Sequence, residues 1–145
     1  MQREFKYADL LDDDVFKLVF GRESSKDVMI EFLNQVIPDR KIIDLEFVDK
    51  EMHHVDRSRK DSIYDMFCKT DDGSRIVVEV QRRKQANFAE RAIYYSTFSI
   101  ANQVSAGAGC YDFYPVYVIS ILNFGFKPSG SKVKSEFRLY ETDTR

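Results

Sequence analysis

Cysteine is scarce in this sequence. Cys68 lies in an apolar run, Cys110 sits beside a glycine pair, and no C-x-x-C spacing exists. That scarcity argues against a secreted disulfide framework and against a zinc site, and it favours a reduced, cytoplasmic interior. No stretch approaches the roughly 20 apolar residues of a membrane span, and the N-terminal MQREFKYADLLDDDVF has no apolar signal core. Repeats, low-complexity tracts and long Gly/Pro/Ser linkers are missing before residue 127, so one domain is expected. There is no G-x-x-x-x-G-K phosphate loop, and Ser62 lacks the His-Asp arrangement that acyl transfer needs. An excess of either charge is also absent: 22 basic against 24 acidic residues give −2 and a pI near 5.7. Such a chain has no global attraction for nucleic acid, which counts against a bulk DNA coat. It does not exclude an enzyme acting on a polyanion, because such an enzyme needs acidic metal ligands and only a local basic rim.

What is present is an ordinary globular recipe, 145 residues with 43% hydrophobic, 32% charged and 14% aromatic content. At this length roughly two-thirds of the chain's surface is buried on folding, enough for a core without staples. Residues 1–127 read as the domain. From KPSGSKVKSEF onward, Pro128, Ser129, Gly130 and Ser131 are linker chemistry, and 128–145 reads as a tail that starts a truncated C-terminal region. Asp12 to Asp14 supply a cap and first-turn acids for a short helix with Phe16, Val19 and Phe20 on one face, ended by Gly21. Ser24 or Ser25 opens a second helix with Val28, Met29, Phe32, Leu33 and Val36 recurring, stopped by Pro38. KIIDLEFVD alternates, Ile43, Leu45 and Phe47 on one side, and reads as a strand. Phe88, Ala92, Tyr95 and Ser99, with Arg91 and Phe98 beside them, predict a helix of four to five turns ending near Gly107 and Gly109. YPVYVISILNF reads as a buried strand. The order predicts an α/β or α+β fold, a mixed central sheet flanked by helices.

SIYDMFCK and RIVVEVQ, joined by TDDGS, read as a hairpin. If Asp71, Asp72 and Gly73 form a three-residue loop, Asp65 falls opposite Glu79 and Ile63 opposite Gln81, on the face away from Tyr64, Met66, Cys68, Ile76, Val78 and Val80. A two-residue Asp72-Gly73 loop would set Asp65 opposite Val80 and mix polar with apolar side chains on both faces, so the longer loop is favoured. Two carboxylates held that close require a cation or a proton, and oxygen ligands suit Mg²⁺ or Mn²⁺. From spacing alone, Asp65 and Glu79 read equally as solvated residues on the wet side of a hairpin.

The run D-MFCKTDDGSRIVV-E-V-Q resembles the core of the PD-(D/E)xK nuclease superfamily. More narrowly, DDVFKLVFG, KDVMIEFLNQVIP, YDMFCKTDDGSRIVVEVQ, FAERAIYYSTFSIANQ and the YPVYVISILNF strand resemble, in order, the PD-(D/E)xK nuclease family transposases, also called recombination-promoting nucleases. The resemblance implies a restriction-endonuclease-like core with the site on the hairpin. It places the metal-binding Asp on Asp65, the Glu on Glu79, and the position of the superfamily's Lys on Gln81, a departure usual in this family. The Asp of its D-x-x-F-K segment falls on Asp13. Members are typically longer than this chain, so a DNA-contacting remainder is expected to lie outside it.

The implied activity is Mg²⁺-dependent DNA endonuclease cleavage, with Mn²⁺ as a substitute. Asp65 and Glu79 would hold the ion, with the Val80 carbonyl as a third ligand and Asp13 reaching it from the first helix. Taken alone, Asp13 reads better as an N-cap. Gln81 can orient water or phosphate but cannot accept a proton at pH 7. Arg82, Arg83 and Lys84 could contact phosphate or form a solvated basic turn; Arg91 could face phosphate, with Tyr94, Tyr95 and Phe98 as packing. His53 and His54 read as loop residues. The implied partner is DNA, expected as the double strand; a homodimer is admitted and a membrane is not. The competing reading is a catalytically inactive nuclease-fold module that binds nucleic acid or protein.

Overall fold

The structure is a computed structural model that describes residues 7–48, 51–52, 62–63, 65–105, 107, 109–125, 130–139 and 142–143. His53, His54, Tyr64, Pro128 and Ser129, and the side chain of Ser62, lie outside what is described.

Helix α1 (Asp13–Phe20) begins because the Asp12 side chain accepts from the amides of Asp14 and Val15 at 3.1 and 3.2 Å, and it ends at Gly21. The N-cap is therefore Asp12, one residue before Asp13, which is the first helical residue and exposed. Buried Phe16 is the helix's anchor, with Phe20 packed beside it. After a short 3₁₀ turn (Glu23–Ser25), α2 (Lys26–Val36) buries Met29 and Leu33. Val28, read as a core position, is half exposed.

The next strand is shorter than its alternation suggested. Asn34 on α2 clasps the backbone of Ile42 from both sides, accepting from its amide at 2.8 Å and donating to its carbonyl at 3.0 Å. That clasp turns Ile42 inward and leaves Ile43 exposed, so β1 is only Leu45–Phe47. β2 (Glu51–Met52) and β3 (Ser62–Ile63) pair antiparallel as a separate ribbon. β4 (Met66–Thr70) and β5 (Arg75–Gln81) form the hairpin, and β6 (Val116–Leu122) runs parallel to β5, giving the sheet order β1-β4-β5-β6.

Hairpin register is the one a three-residue loop sets: Met66 pairs with Val78, Phe67 with Val77, Cys68 with Ile76 and Lys69 with Arg75. The Gly73 amide donates to the Thr70 carbonyl at 2.9 Å, the Thr70 amide to the Ser74 carbonyl at 3.0 Å, and Gly73 closes the turn at φ +85°. Helices cover both faces of the sheet. Met66, Cys68, Ile76, Val78 and Val80 pack on Phe16, Met29 and Leu33, while Phe67 and Val77 pack on Tyr95 and Phe98 of α3 (Phe88–Ala101). The face carrying Glu79 and Gln81, for which spacing alone also allowed a wet side, is thus the floor under α3. That helix stops at Ala101, short of the glycines. β6 is half-buried along its length, because within this sheet it is an edge strand. Among the described residues no helix is long and apolar enough to cross a membrane.

Candidate active site

The site forms where the hairpin ladder stops. Its last backbone pair is Met66 with Val78; on the Asp65 side the chain swings away, and Ile63 pairs with Glu51 rather than facing Gln81. The edge of β5 beyond Val78 is taken over by a side chain instead: Asp65 Oδ2 accepts from the Val80 amide at 2.7 Å. Carbonyls alternate in direction along a strand. The Gln81 carbonyl accepts from the Asn123 amide, just past β6, at 3.0 Å. The Val80 carbonyl therefore points to the opposite edge, toward Asp65.

Glu79 lies under α3 and is 2% exposed. Its Oε2 accepts from Arg91 at 2.7 Å and faces the Gln81 amide at 3.4 Å, while Oε1 is buried without a hydrogen-bond partner among the described residues. A bare buried carboxylate oxygen is costly unless a cation or proton meets it. Burial pushes the Glu79 carboxyl up to about 7, with the Asp65 charge adding to the rise and Arg91 opposing it. Asp65 is also raised, first by burial and then by the charge of Asp13, against the Val80 amide, Lys17 and Arg91.

Asp13 lies close enough to act on Asp65 through its charge, and lines an open cleft of about 320 Å³ with Leu11, Asp12, Asp14, Lys17 and Arg82. Arg82, Arg83 and Lys84 are exposed just past β5, with Arg82 3.3 Å from Asp9. Arg91 does not face outward to phosphate: its guanidinium is turned onto Glu79, also meets Gln85, and lies over the rings of Tyr95 and Phe88 at 5.4 and 5.9 Å. One residue of the D-x-x-F-K segment was given no role by the sequence. Lys17 Nζ lies 3.8 Å from Asp65 Oδ1. Its four-residue spacing from Asp13 puts both on one helix face, but nothing local tells which element that face meets.

The donor set fits a hard divalent ion. Among the described residues no three His, Cys, Asp or Glu side chains converge as a full ligand set. Mg²⁺, however, is commonly held by one or two carboxylates, completed by waters and substrate oxygens. Asp65, the bare Glu79 oxygen and the Val80 carbonyl are donors of that type.

Among the described residues, three helices around a mixed four-stranded sheet, with an acidic opening at the end of its hairpin, make this an α+β fold consistent with a PD-(D/E)XK nuclease-like core. Within that class the chain belongs to the PD-(D/E)XK nuclease family transposases, whose family pattern it matches over residues 10–145. No curated protein and no solved structure matches it. Membership gives the chain a nuclease-type function in general terms, with DNA as the substrate class suggested and divalent metal ions as the usual requirement of such nucleases.

Proposed function

We propose that the protein is a Mg²⁺-dependent DNA endonuclease of the recombination-promoting type, with Asp65 and Glu79 as metal ligands. The observation that carries this reading is a buried Glu79, one oxygen without a partner among the described residues, beside an Asp65 carboxylate anchored on the amide of the next residue of the same strand, Val80. Asp65, Glu79 and the Val80 carbonyl hold the ion, and Asp13 adds negative charge from α1. When bound, the ion makes water nucleophilic near neutral pH and offsets the charge gathering on phosphorus. Gln81, fixed beside Glu79, orients water or phosphate through hydrogen bonds and takes no proton. Exposed Arg82, Arg83 and Lys84 contact the backbone of double-stranded DNA. The free thiols of Cys68 and Cys110 support a cytoplasmic setting.

A second reading, a non-cleaving module on the same fold, is favoured by one observation: Arg91 pairs with Glu79 at 2.7 Å and offsets part of its charge from within the chain. Nicking of supercoiled plasmid with Mg²⁺ or Mn²⁺ separates the two. The nuclease reading expects cleavage by the wild type, a loss of roughly 100-fold or more in Glu79→Ala and Asp65→Ala, and Mn²⁺ binding that disappears with it. Equal cleavage by wild type and Glu79→Ala would remove the assigned site, and a wild type that neither binds Mn²⁺ nor nicks DNA would leave the module.

A further inference from the structure

Hydrolysis of a phosphodiester loads negative charge onto the phosphate oxygens, and a side-chain cation that touches them lowers the barrier. Gln81 cannot be that cation: it is neutral, it is buried, and its amide nitrogen faces Glu79. Arg91 is held inward by Glu79, Gln85 and two aromatic rings. Arg82 leans on Asp9.

We infer that Lys17 of α1 is a catalytic residue of the site, its ammonium gripping the non-bridging oxygen of the phosphate under attack; this rests on the nuclease reading above. Three observations converge on it. The Val80 amide occupies Asp65 Oδ2, so Oδ1 is the oxygen left facing Lys17, at 3.8 Å. That separation is a charge attraction and not a hydrogen bond, so the ammonium keeps its donors for an arriving anion. Finally, Lys17 lines the open cleft of about 320 Å³ that Asp13 and Arg82 share, while its side chain is only 28% exposed. An anion entering there meets a partly desolvated cation beside the carboxylates.

Position follows from the helix. Phe16, next to Lys17 in sequence, is buried in the core, and the Asp12 cap fixes where the helix starts. Together they hold the Lys17 backbone against the sheet. In the reaction a water oxygen bonds to phosphorus, one P–O ester bond breaks, the water's proton leaves to solvent and the departing oxygen takes a proton from solvent. Lys17 keeps its own proton throughout.

The test compares wild type with Lys17→Met, Lys17→Gln and Lys17→Arg in three measurements on the full chain: plasmid nicking with its kcat and KM, Mn²⁺ affinity by calorimetry, and thermal melting. Expected is a kcat fall of roughly 100-fold in Lys17→Met and Lys17→Gln, with Mn²⁺ bound as tightly as by wild type or tighter, since a positive neighbour has gone. Lys17→Arg recovers part of the rate. Lys17→Met or Lys17→Gln cleaving within about threefold of wild type would overturn the inference and leave the nuclease reading standing. So would a folded variant that loses Mn²⁺ binding along with cleavage, because Lys17 would then act only by placing Asp65. If Lys17→Met does not fold, Lys17→Gln and Lys17→Arg decide by the same criteria. A wild type without Mn²⁺ binding or nicking sinks both readings together, and is told apart by needing no variant at all.

Discussion

Glu79 carries an unusual load for one side chain. It is buried on β5, an interior strand of the sheet, one oxygen tied to Arg91 and the other without a partner among the described residues. Its carboxyl is pushed up to about 7, against an ordinary 4.5, chiefly by burial. The folded protein therefore holds this proton more tightly than the unfolded chain. The stabilisation is complete below about pH 4.5 and is lost as pH rises through 7, a change on the order of 3 kcal/mol. Glutamine cannot ionise, so in chelator the advantage of Glu79→Gln over wild type should grow between those pH values, read as the difference in melting temperature. A difference that stays constant with pH would show that Glu79 is ionised in the folded state throughout.

Among the elements, the hairpin was the most legible in the sequence. Period-two alternation and a D-D-G loop specify both its faces and its register, because a slip of one residue would turn Asp65 and Val80 onto the same side. Gly73 enforces that register: at φ +85° a side chain is strained, and a Cβ there would come within 2.6 Å of the Tyr114 ring. Gly73→Ala should cost about 2 kcal/mol from strain and clash, lowering the melting temperature by roughly 5 °C. Tyr114→Ala in that background should return the part due to the ring. A Gly73→Ala protein melting like wild type would mean the loop has another conformation available. The elements read less well were those set by distant partners. Ile43 fits a strand by alternation, yet Asn34 on α2 decides that Ile42 is the residue turned inward. The end of α3 comes before its glycines, with Gln103 pairing both the amide and the carbonyl of Tyr114. The stretch read as a tail is largely exposed, but Lys134 donates to the Val36 carbonyl at 2.7 Å and Arg138 meets Asp39 at 2.6 Å, so residues 130–139 are fastened at the end of α2.

For the molecule as a whole, a bound ion and the fold are one equilibrium. If Asp65 and Glu79 hold a divalent ion, binding to the folded state alone stabilises it by about 2.7 kcal/mol at a hundred times the dissociation constant. Mn²⁺ should then raise the wild-type melting temperature by several degrees at neutral pH, and leave that of Asp65→Ala unchanged. An equal shift in both proteins would place the ion elsewhere.

Local sequence was sufficient for the hairpin as far as Met66 and Val78, for a helix starting among Asp12 to Asp14, and for a mixed sheet between helices, since capping, turn chemistry and side-chain period act over only a few residues. It also brought Asp65, Glu79 and Gln81 to one end of the hairpin. What the tertiary structure decided is which helix faces which part of it. Arg91 turned inward onto Glu79, Lys17 came to lie beside Asp65, and Asp65 left the ladder to hold the Val80 amide. Those contacts join residues far apart in the chain, and their geometry depends on how α1 and α3 pack across the sheet, which no short-range pattern encodes.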